Sequence, residues 1–318
     1  MSFSSEVKEE LSRFIPEARH CCIAESAAII SILGKVNQTP KKQLQLELVL
    51  DYPAIARKCF TLLKKTYNIV SDISIVQPNV SAKKRYYSLK INQDGEVRKV
   101  LEGMKLVDRD YSVRDALMVK DNMIIKNTCC KRAFIRGAFL ASGSVSNPEK
   151  AYHFEIIFFN EENAILLRDL MRSLGLDAKI VQRKKSYVVY LKESEQIVEV
   201  LGSMEAVSAL MAFENTRIIK CVRNDVNRKV NCETANLNKT VSAAYKQVKD
   251  IEFIRQSIGL ERLSDALREI AYARLEHPQA TLKELGEILS PPVSKSGVNH
   301  RLRKLSEIAE NIENLSAL

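Results

Sequence analysis

Apolar and polar positions follow two regimes along the chain. Over the first two thirds, stretches that alternate residue by residue are interleaved with stretches of helical period. Gln43 to Leu50 alternates, which predicts a half-buried strand, and Asp51 is placed to cap the helix carried by AIARKCFTLLKKTYNI. Strands are predicted again at Ser71 to Val76 and Arg85 to Ile91, with a closing helix over Glu96 to Leu106. The same succession then recurs. A strand at Tyr152 to Phe159 leads to Asn160, the cap of EENAILLRDLMRSLG, then to strands at Ala178 to Gln182 and Tyr187 to Leu191, and to a closing helix over Glu195 to Leu201.

Each series is preceded by an apolar helix, His20-Cys21 followed by IAESAAIISILGKV and Cys129-Cys130 followed by RAFIRGAFLASGSV. Gly34 and Gly143 set the offset between them, 143 − 34 = 109. Both helices carry small residues one turn apart: Ala24 with Ala28 and Ala27 with Ser31 in the first, Ala133, Gly137 and Ala141 in the second. Such rows let two helix backbones approach closely. A duplicated α+β half, about 1–115 and 116–214, accounts for the repeat.

Beyond about residue 233 the pattern is helical. Segments at about Thr234 to Ser257 and Leu263 to Glu276 are broken by Ile258-Gly259 and His277-Pro278. Thr281-Leu282-Lys283-Glu284 is a capping box, which starts a helix burying Leu282, Leu285, Ile288 and Leu289. Ser290-Pro291-Pro292 ends it. Ser294 caps the next helix, with Val293 and Val298 placed as a hydrophobic staple and Val298, Leu302, Leu305, Ala309 and Ile312 as its buried stripe. Opposite that stripe lie Ser296, Asn299, His300, Arg303 and Lys304, with Lys295 and Arg301 on its flanks and no acid between Ser290 and Ser306. Two short helices, a tight turn, and a second helix whose outer face is basic and amide-bearing make a helix-turn-helix with its recognition helix.

Charge and composition sharpen this division. The surplus of 49 Lys and Arg over 39 acids, net +10, biases the partner toward a polyanion. A connector over 215–232 concentrates Arg217, Lys220, Arg223, Arg228 and Lys229 with Asn224, Asn227 and Asn231, residue types suited to phosphate contacts or to a polar hinge. With 46% hydrophobic residues most of the chain is expected to fold. The start MSFSSEVKEELSRF lacks the apolar core of a signal peptide, and no run of about 20 apolar residues is present, so a cytoplasmic location without membrane contact is expected. The seven cysteines are expected to be reduced, buried thiols. Neither Cys21-Cys22 nor Cys129-Cys130 has the gap of about two to four residues that lets two thiolates share one metal, so no metal and no cofactor are expected, although His20 adjoins the first pair.

The repeated helix and the elements after it resemble the LAGLIDADG homing endonucleases. That resemblance implies two signature helices packed at a pseudo-two-fold axis, with saddle-shaped sheets astride duplex DNA. In the family the penultimate motif residue is an acid that holds the catalytic metal. Leu33 and Ser142 occupy those positions here, and neither supplies the carboxylate charge that Mg²⁺ requires. The expectation is a domain with no catalytic residues. Lys83, Lys84, Arg85 and Arg183, Lys184, Lys185 fall at matching places in the two halves, each ahead of a strand, as candidate basic surface or as solvated turns.

Over essentially the whole chain, the order of parts together with FIRGAFLASGSVSNPEKAYHFEI, NDVNRKVNCETANLNKT and TLKELGEILSPPVSKSGVNHRLRKL is similar to the WhiA family of sporulation and cell-division regulators. The resemblance implies a Gram-positive transcription factor, nucleoid-associated and not an enzyme, whose partner is double-stranded DNA, with other regulatory proteins as further candidates. It implies a degenerate LAGLIDADG-like domain over 1–214, the basic linker over 215–232 and a helix-turn-helix domain over 233–318. The DNA-binding role transfers to Lys295, Ser296, Asn299, His300, Arg301, Arg303 and Lys304, and less directly to Asn224, Asn227 and Arg228. A monomer is expected. A division-apparatus adaptor acting by protein contact and an active homing endonuclease stay open as alternatives.

Overall fold

The computed structural model describes residues 2–77, 85–106, 117–119 and 122–316. Lys83, Lys84 and the expected boundary between the halves at 115–116 lie outside the described residues. The chain divides into two compact units, Met1–Lys220 and Cys221–Leu318.

The first unit is α+β and internally duplicated. After α1 (Phe3–Arg13), its first half runs α2 (Arg19–Leu33), β1 (Gly34–Gln38), β2 (Leu44–Leu50), α3 (Pro53–Tyr67), β3 (Asp72–Val76), β4 (Tyr86–Ile91) and α4 (Asp94–Gly103). The second half runs α5 (Thr128–Ser142), β5 (Gly143–Val145), β6 (Phe154–Phe158), α6 (Glu161–Arg172), β7 (Lys179–Arg183), β8 (Ser186–Leu191) and α7 (Ser194–Ser203). Both sheets are antiparallel with matching strand order, β1-β2-β4-β3 and β5-β6-β8-β7. Helices α2 and α5 are offset by 109 at both ends (128 − 19 and 142 − 33).

One hydrophobic core runs through both halves, from Val7 and Leu11 on α1 to Phe213. Helix α2 is buried from Cys21 to Ile30 apart from Ile23, which explains why its sequence is apolar nearly all round. The small residues are at the contact: Ala24, Ala27, Ala28 and Ala133 are buried, and a Cβ on Gly137 would stand 2.3 Å from the Glu25 carbonyl oxygen of α2. Within this apolar pairing sits a charged cluster. The Glu25 carboxylate meets Lys58 Nζ of α3 at 2.5 Å and two guanidinium nitrogens of Arg136 on α5 at 2.9 and 3.1 Å, all three side chains buried. Arg136 also meets Glu205 at 3.1 Å, and Lys58 donates to the Leu11 carbonyl at 2.7 Å.

Several local expectations need correction. Tyr52 occupies the N-cap position of α3 without a side-chain cap hydrogen bond, and Pro53 opens the first turn, so Asp51 is not its N-cap. Asn160 does cap α6, accepting from the amides of Glu162 and Asn163. The signature helices end at Leu33 and Ser142, and the residues that follow open strands β1 and β5 rather than a last helical turn. Cys21, Cys22, Cys59 and Cys130 are buried, but Cys129, Cys221 and Cys232 are exposed.

The second unit is all α. Helix α8 (Val207–Ser257) begins in the first unit and ends in the second, so 215–232 is helical throughout. It is followed by α9 (Asp265–Glu276), α10 (Leu282–Ile288) and α11 (Lys295–Ser316). A separate core joins Ile251, Ile254, Leu267, Ile270, Leu285, Val298, Leu302 and Leu305. Among the described residues no helix is long and apolar enough to cross a membrane.

Candidate nucleic-acid interface

Helices α9, α10 and α11 hold one another in the second unit. The Thr281 side chain accepts from the Glu284 amide at 3.3 Å while the Glu284 carboxylate accepts from the Thr281 amide at 2.7 Å, completing the capping box. The Thr281 amide, ahead of other causes, holds the Glu284 carboxyl below its usual range. The turn from α10 to α11 is closed by the Val293 amide donating to the Gly286 carbonyl at 2.9 Å. Gly286 is required there, because a Cβ would stand 2.1 Å from the Val293 carbonyl oxygen. Ser294 caps α11 through the Gly297 amide at 3.3 Å. Leu285 and Leu289 are buried and Leu282 partly so, but Ile288 is exposed, contrary to its expected burial.

With Val298, Leu302, Leu305 and Ala309 fixed in the core, the opposite side of α11 is turned outward. Lys295, Ser296, Asn299, His300, Arg303 and Lys304 are all exposed. They fall in two adjacent rows of four-residue spacing, Lys295–Asn299–Arg303 and Ser296–His300–Lys304, so cations, amide, imidazole and hydroxyl share one surface. Arg303 meets Glu307 at 3.3 Å, an exposed pair that yields readily to a stronger anion.

Arg301 differs. It is half-buried and turned toward α9, 3.8 Å from Glu269 and 3.5 Å from the Ala266 carbonyl oxygen. Glu269 in turn accepts from the Ser290 amide at 3.2 Å, so this acid and Arg301 tie α9, the turn and α11 together. Buried Arg274 does the same for the α9–α10 turn, donating to the Ala280 carbonyl at 2.7 Å. Glu269 and Arg274 carry no sequence signal, because their partners are the backbone of turns and a side chain distant in sequence.

Asn224, Asn227 and Arg228 are exposed on α8, and with Asn231 they share one helix face through their three- and four-residue spacing. The structure places them on a helix rather than an irregular connector. In the sheets of the first unit, matching positions carry an acid that engages nearby cations. Glu47 on β2 accepts from the Ser88 hydroxyl at 2.7 Å and meets Lys90 at 3.3 Å. Glu155 on β6 meets Arg183 at 3.1 Å and His153 at 3.0 Å. Arg85, Lys184 and Lys185 are exposed at strand ends.

At the C-terminal ends of the signature helices, Leu33 lines an open cleft with Val49, Leu117, Phe158 and Phe159. Ser142 donates its hydroxyl to the Ile157 carbonyl at 2.7 Å. These positions present a methyl-bearing side chain and an engaged hydroxyl, with no carboxylate from either.

The opposite ends of the same helices bring together residues that pairwise reading of the cysteines had kept apart. His20 Nδ1 stands 3.1 Å from Cys130 Sγ, 3.3 Å from Cys21 Sγ and 4.0 Å from Cys129 Sγ, and all four ligand-type atoms lie within 4.8 Å of one another. Burial, then the proximity of Cys129 and Cys130, pushes the Cys21 thiol up to about 12. The 109-residue repeat places His20-Cys21 opposite Cys129-Cys130 across the helix contact.

Comparison with known proteins matches three family models along the chain: the WhiA N-terminal LAGLIDADG-like domain over residues 19–107, the WhiA LAGLIDADG-like domain over 131–223 and the WhiA C-terminal HTH domain over 226–309. Among curated relatives, the chain is 49% identical to the probable cell division protein WhiA of Lachnoclostridium phytofermentans, covering 98% of this chain and 99% of that one. It is 47% identical to that of Alkaliphilus oremlandii, covering 98% of each. Among solved structures, full-length WhiA from Thermatoga maritima is similar with a TM-score of 0.59 at 27% identity, covering 98% of this chain and 99% of that one.

Proposed function

The chain belongs to the WhiA family, and from that premise we propose that it is a sequence-specific DNA-binding regulator linked to cell division. The observation that carries the reading is the outward face of α11, where Lys295, Ser296, Asn299, His300, Arg303 and Lys304 are exposed together on a helix capped by Ser294 and held by the Glu269–Arg301 tie. Asn299 and Arg303 have the donor geometry to read base edges in a major groove, and Lys295 and Lys304 that to meet phosphates. Asn224, Asn227 and Arg228 add a second polar face suited to the DNA backbone. The linkage to division rests on the names of the relatives.

In this reading the first unit is a retired nuclease scaffold, and the chain is not an enzyme. Leu33 and Ser142 support that, since a metal-assisted cleavage needs acids at those places. A genome-wide map of the protein on its own chromosome should yield a recurrent sequence. On a duplex carrying it, Asn299→Ala or Arg303→Ala should each weaken binding by about 1–3 kcal/mol and much less on scrambled DNA. Equal losses on both duplexes would remove α11 as the reader. Supercoiled plasmid incubated with the protein and Mg²⁺ or Mn²⁺ should stay intact, and nicking abolished by EDTA would refute the non-enzyme reading.

A further inference from the structure

We propose that His20, Cys21, Cys129 and Cys130 form a structural zinc site that ties the two signature helices together at their N-terminal ends. Two ligands come from each half of the duplicated unit: His20 and Cys21 from the first turn of α2, Cys129 and Cys130 from the first turn of α5. Their four donor atoms lie within 4.8 Å of one another, one per residue, as a four-coordinate site needs. Zinc–sulfur bonds of about 2.3 Å and zinc–nitrogen bonds of about 2.0–2.1 Å put neighbouring ligand atoms about 3.5–3.8 Å apart. The observed separations of 3.1, 3.3 and 4.0 Å from His20 Nδ1 to the three sulfurs straddle that range. From a widest limit of 4.8 Å between donors, side-chain adjustments of up to about 1 Å would close the four to the ideal edge and seat an ion.

The donor set identifies the ion and its role. Three thiolates and one imidazole make one of the closed tetrahedral sets that zinc uses for structure, with no position left open for water or substrate. Soft thiolates exclude Mg²⁺ and Ca²⁺, which take oxygen ligands. The site is also distinct from the place where a nuclease metal would sit. From Cys21 to Leu33 is twelve residues of helix, on the order of 18 Å, so the two lie at opposite ends of the helix pair. Zinc with three thiolates and a neutral imidazole carries a net charge of −1, which the positive ends of two helix dipoles favour. His20 and Cys129 are exposed while Cys21 and Cys130 are buried, so an ion can enter from solvent and be held against the apolar seam of Ala24 and Ala133.

Cys22 marks the contrast. It adjoins the cluster in sequence but is fully buried and donates its thiol to the Pro16 carbonyl at 3.2 Å, and it is not a ligand.

The test is metal content of the purified full-length protein, measured by mass spectrometry after gel filtration over a chelating resin. About one zinc per chain is expected, retained in Cys232→Ser and lost in Cys21→Ser and Cys130→Ser. Because those two variants can fail to fold, the wild-type chain is also stripped with a chelator and titrated with Co²⁺. Tetrahedral thiolate coordination should then give visible d–d absorption and a sulfur-to-metal charge-transfer band, and chelation should lower the Tm of the wild type. A wild-type protein that carries no zinc and gives no such cobalt spectrum would overturn the site. So would full zinc content in a folded Cys21→Ser/Cys130→Ser double variant. A disulfide linking α2 to α5 in protein isolated from reducing cells would replace it with a redox pair.

Discussion

Glu25 stands in the middle of an apolar helix and is completely buried, a place where an isolated carboxylate would not stay ionised. Lys58 and Arg136 hold it, and both are themselves buried. Burial pulls the Lys58 ammonium below its usual range and Glu25 opposes that, so each charge depends on the other. Removing one partner is therefore worse than the pair's net worth suggests. Glu25→Ala should destabilise the protein by about 3–5 kcal/mol, whereas Glu287→Ala, which breaks the exposed pair with Lys283, should change stability by about 1 kcal/mol or less. Urea unfolding of both variants measures this, and equal small shifts would show that the cluster is not charged. In AESAAII nothing distinguishes Glu25 from a surface acid, because its partners lie 33 and 111 residues away (58 − 25 and 136 − 25). The capping box at Thr281 and Glu284 was legible because its whole geometry falls within four residues. Glu284, held below its usual range, stabilises this turn fully above its unfolded-state value and progressively less as pH falls through its folded one.

At the scale of elements, periodicity located the repeat well and its joints poorly. Strands β2, β3, β4, β6, β7 and β8, helix α6 and the signature helices lie where alternation, the Asn160 cap and small-residue rows put them. Strands β1 and β5 were hidden because each follows its helix without a break, with Gly34 and Gly143 both ending the helix and opening the strand. Helix α8 was hidden by composition. Its Arg- and Asn-rich middle reads as a connector, yet Val222, Val226 and Val230 recur at four-residue spacing within it and are exposed on one continuous helix. The pairing of α2 with α5 is the joint with the most direct test. Gly137→Leu would drive a side chain into the Glu25 carbonyl and Ala28, and should lower stability by about 1–3 kcal/mol or more, read as a reduced Tm. A variant melting with the parent would mean that the two helices do not meet there.

For the whole molecule, net charge points to a polyanion without locating its contacts. From Cys221 onward there are 15 Lys and Arg against 13 acids, a surplus of 2, so 10 − 2 leaves a surplus of 8 in the first unit. Yet in that unit's sheets the matching acids Glu47 and Glu155 already engage Lys90 and Arg183. The second unit has little net charge but an uneven distribution, with Lys295, Arg301, Arg303 and Lys304 on an acid-free stretch from Pro291 to Ser306. Arg301 is turned to Glu269, which leaves Lys295, Arg303 and Lys304 facing outward. Each phosphate neutralised contributes about −0.9 to the slope of log K against log salt. In the full-length protein, Lys304→Ala should flatten that slope by about 0.9 and weaken specific and scrambled duplexes alike. Arg301→Ala should leave the slope unchanged and loosen α11 against α9, seen as a lower Tm of the second unit. If Lys295→Ala combined with Lys304→Ala leaves the slope of the full-length chain where it was, the phosphate contacts come from the surplus charge of the first unit, and the saddle rather than the recognition helix anchors the protein on DNA.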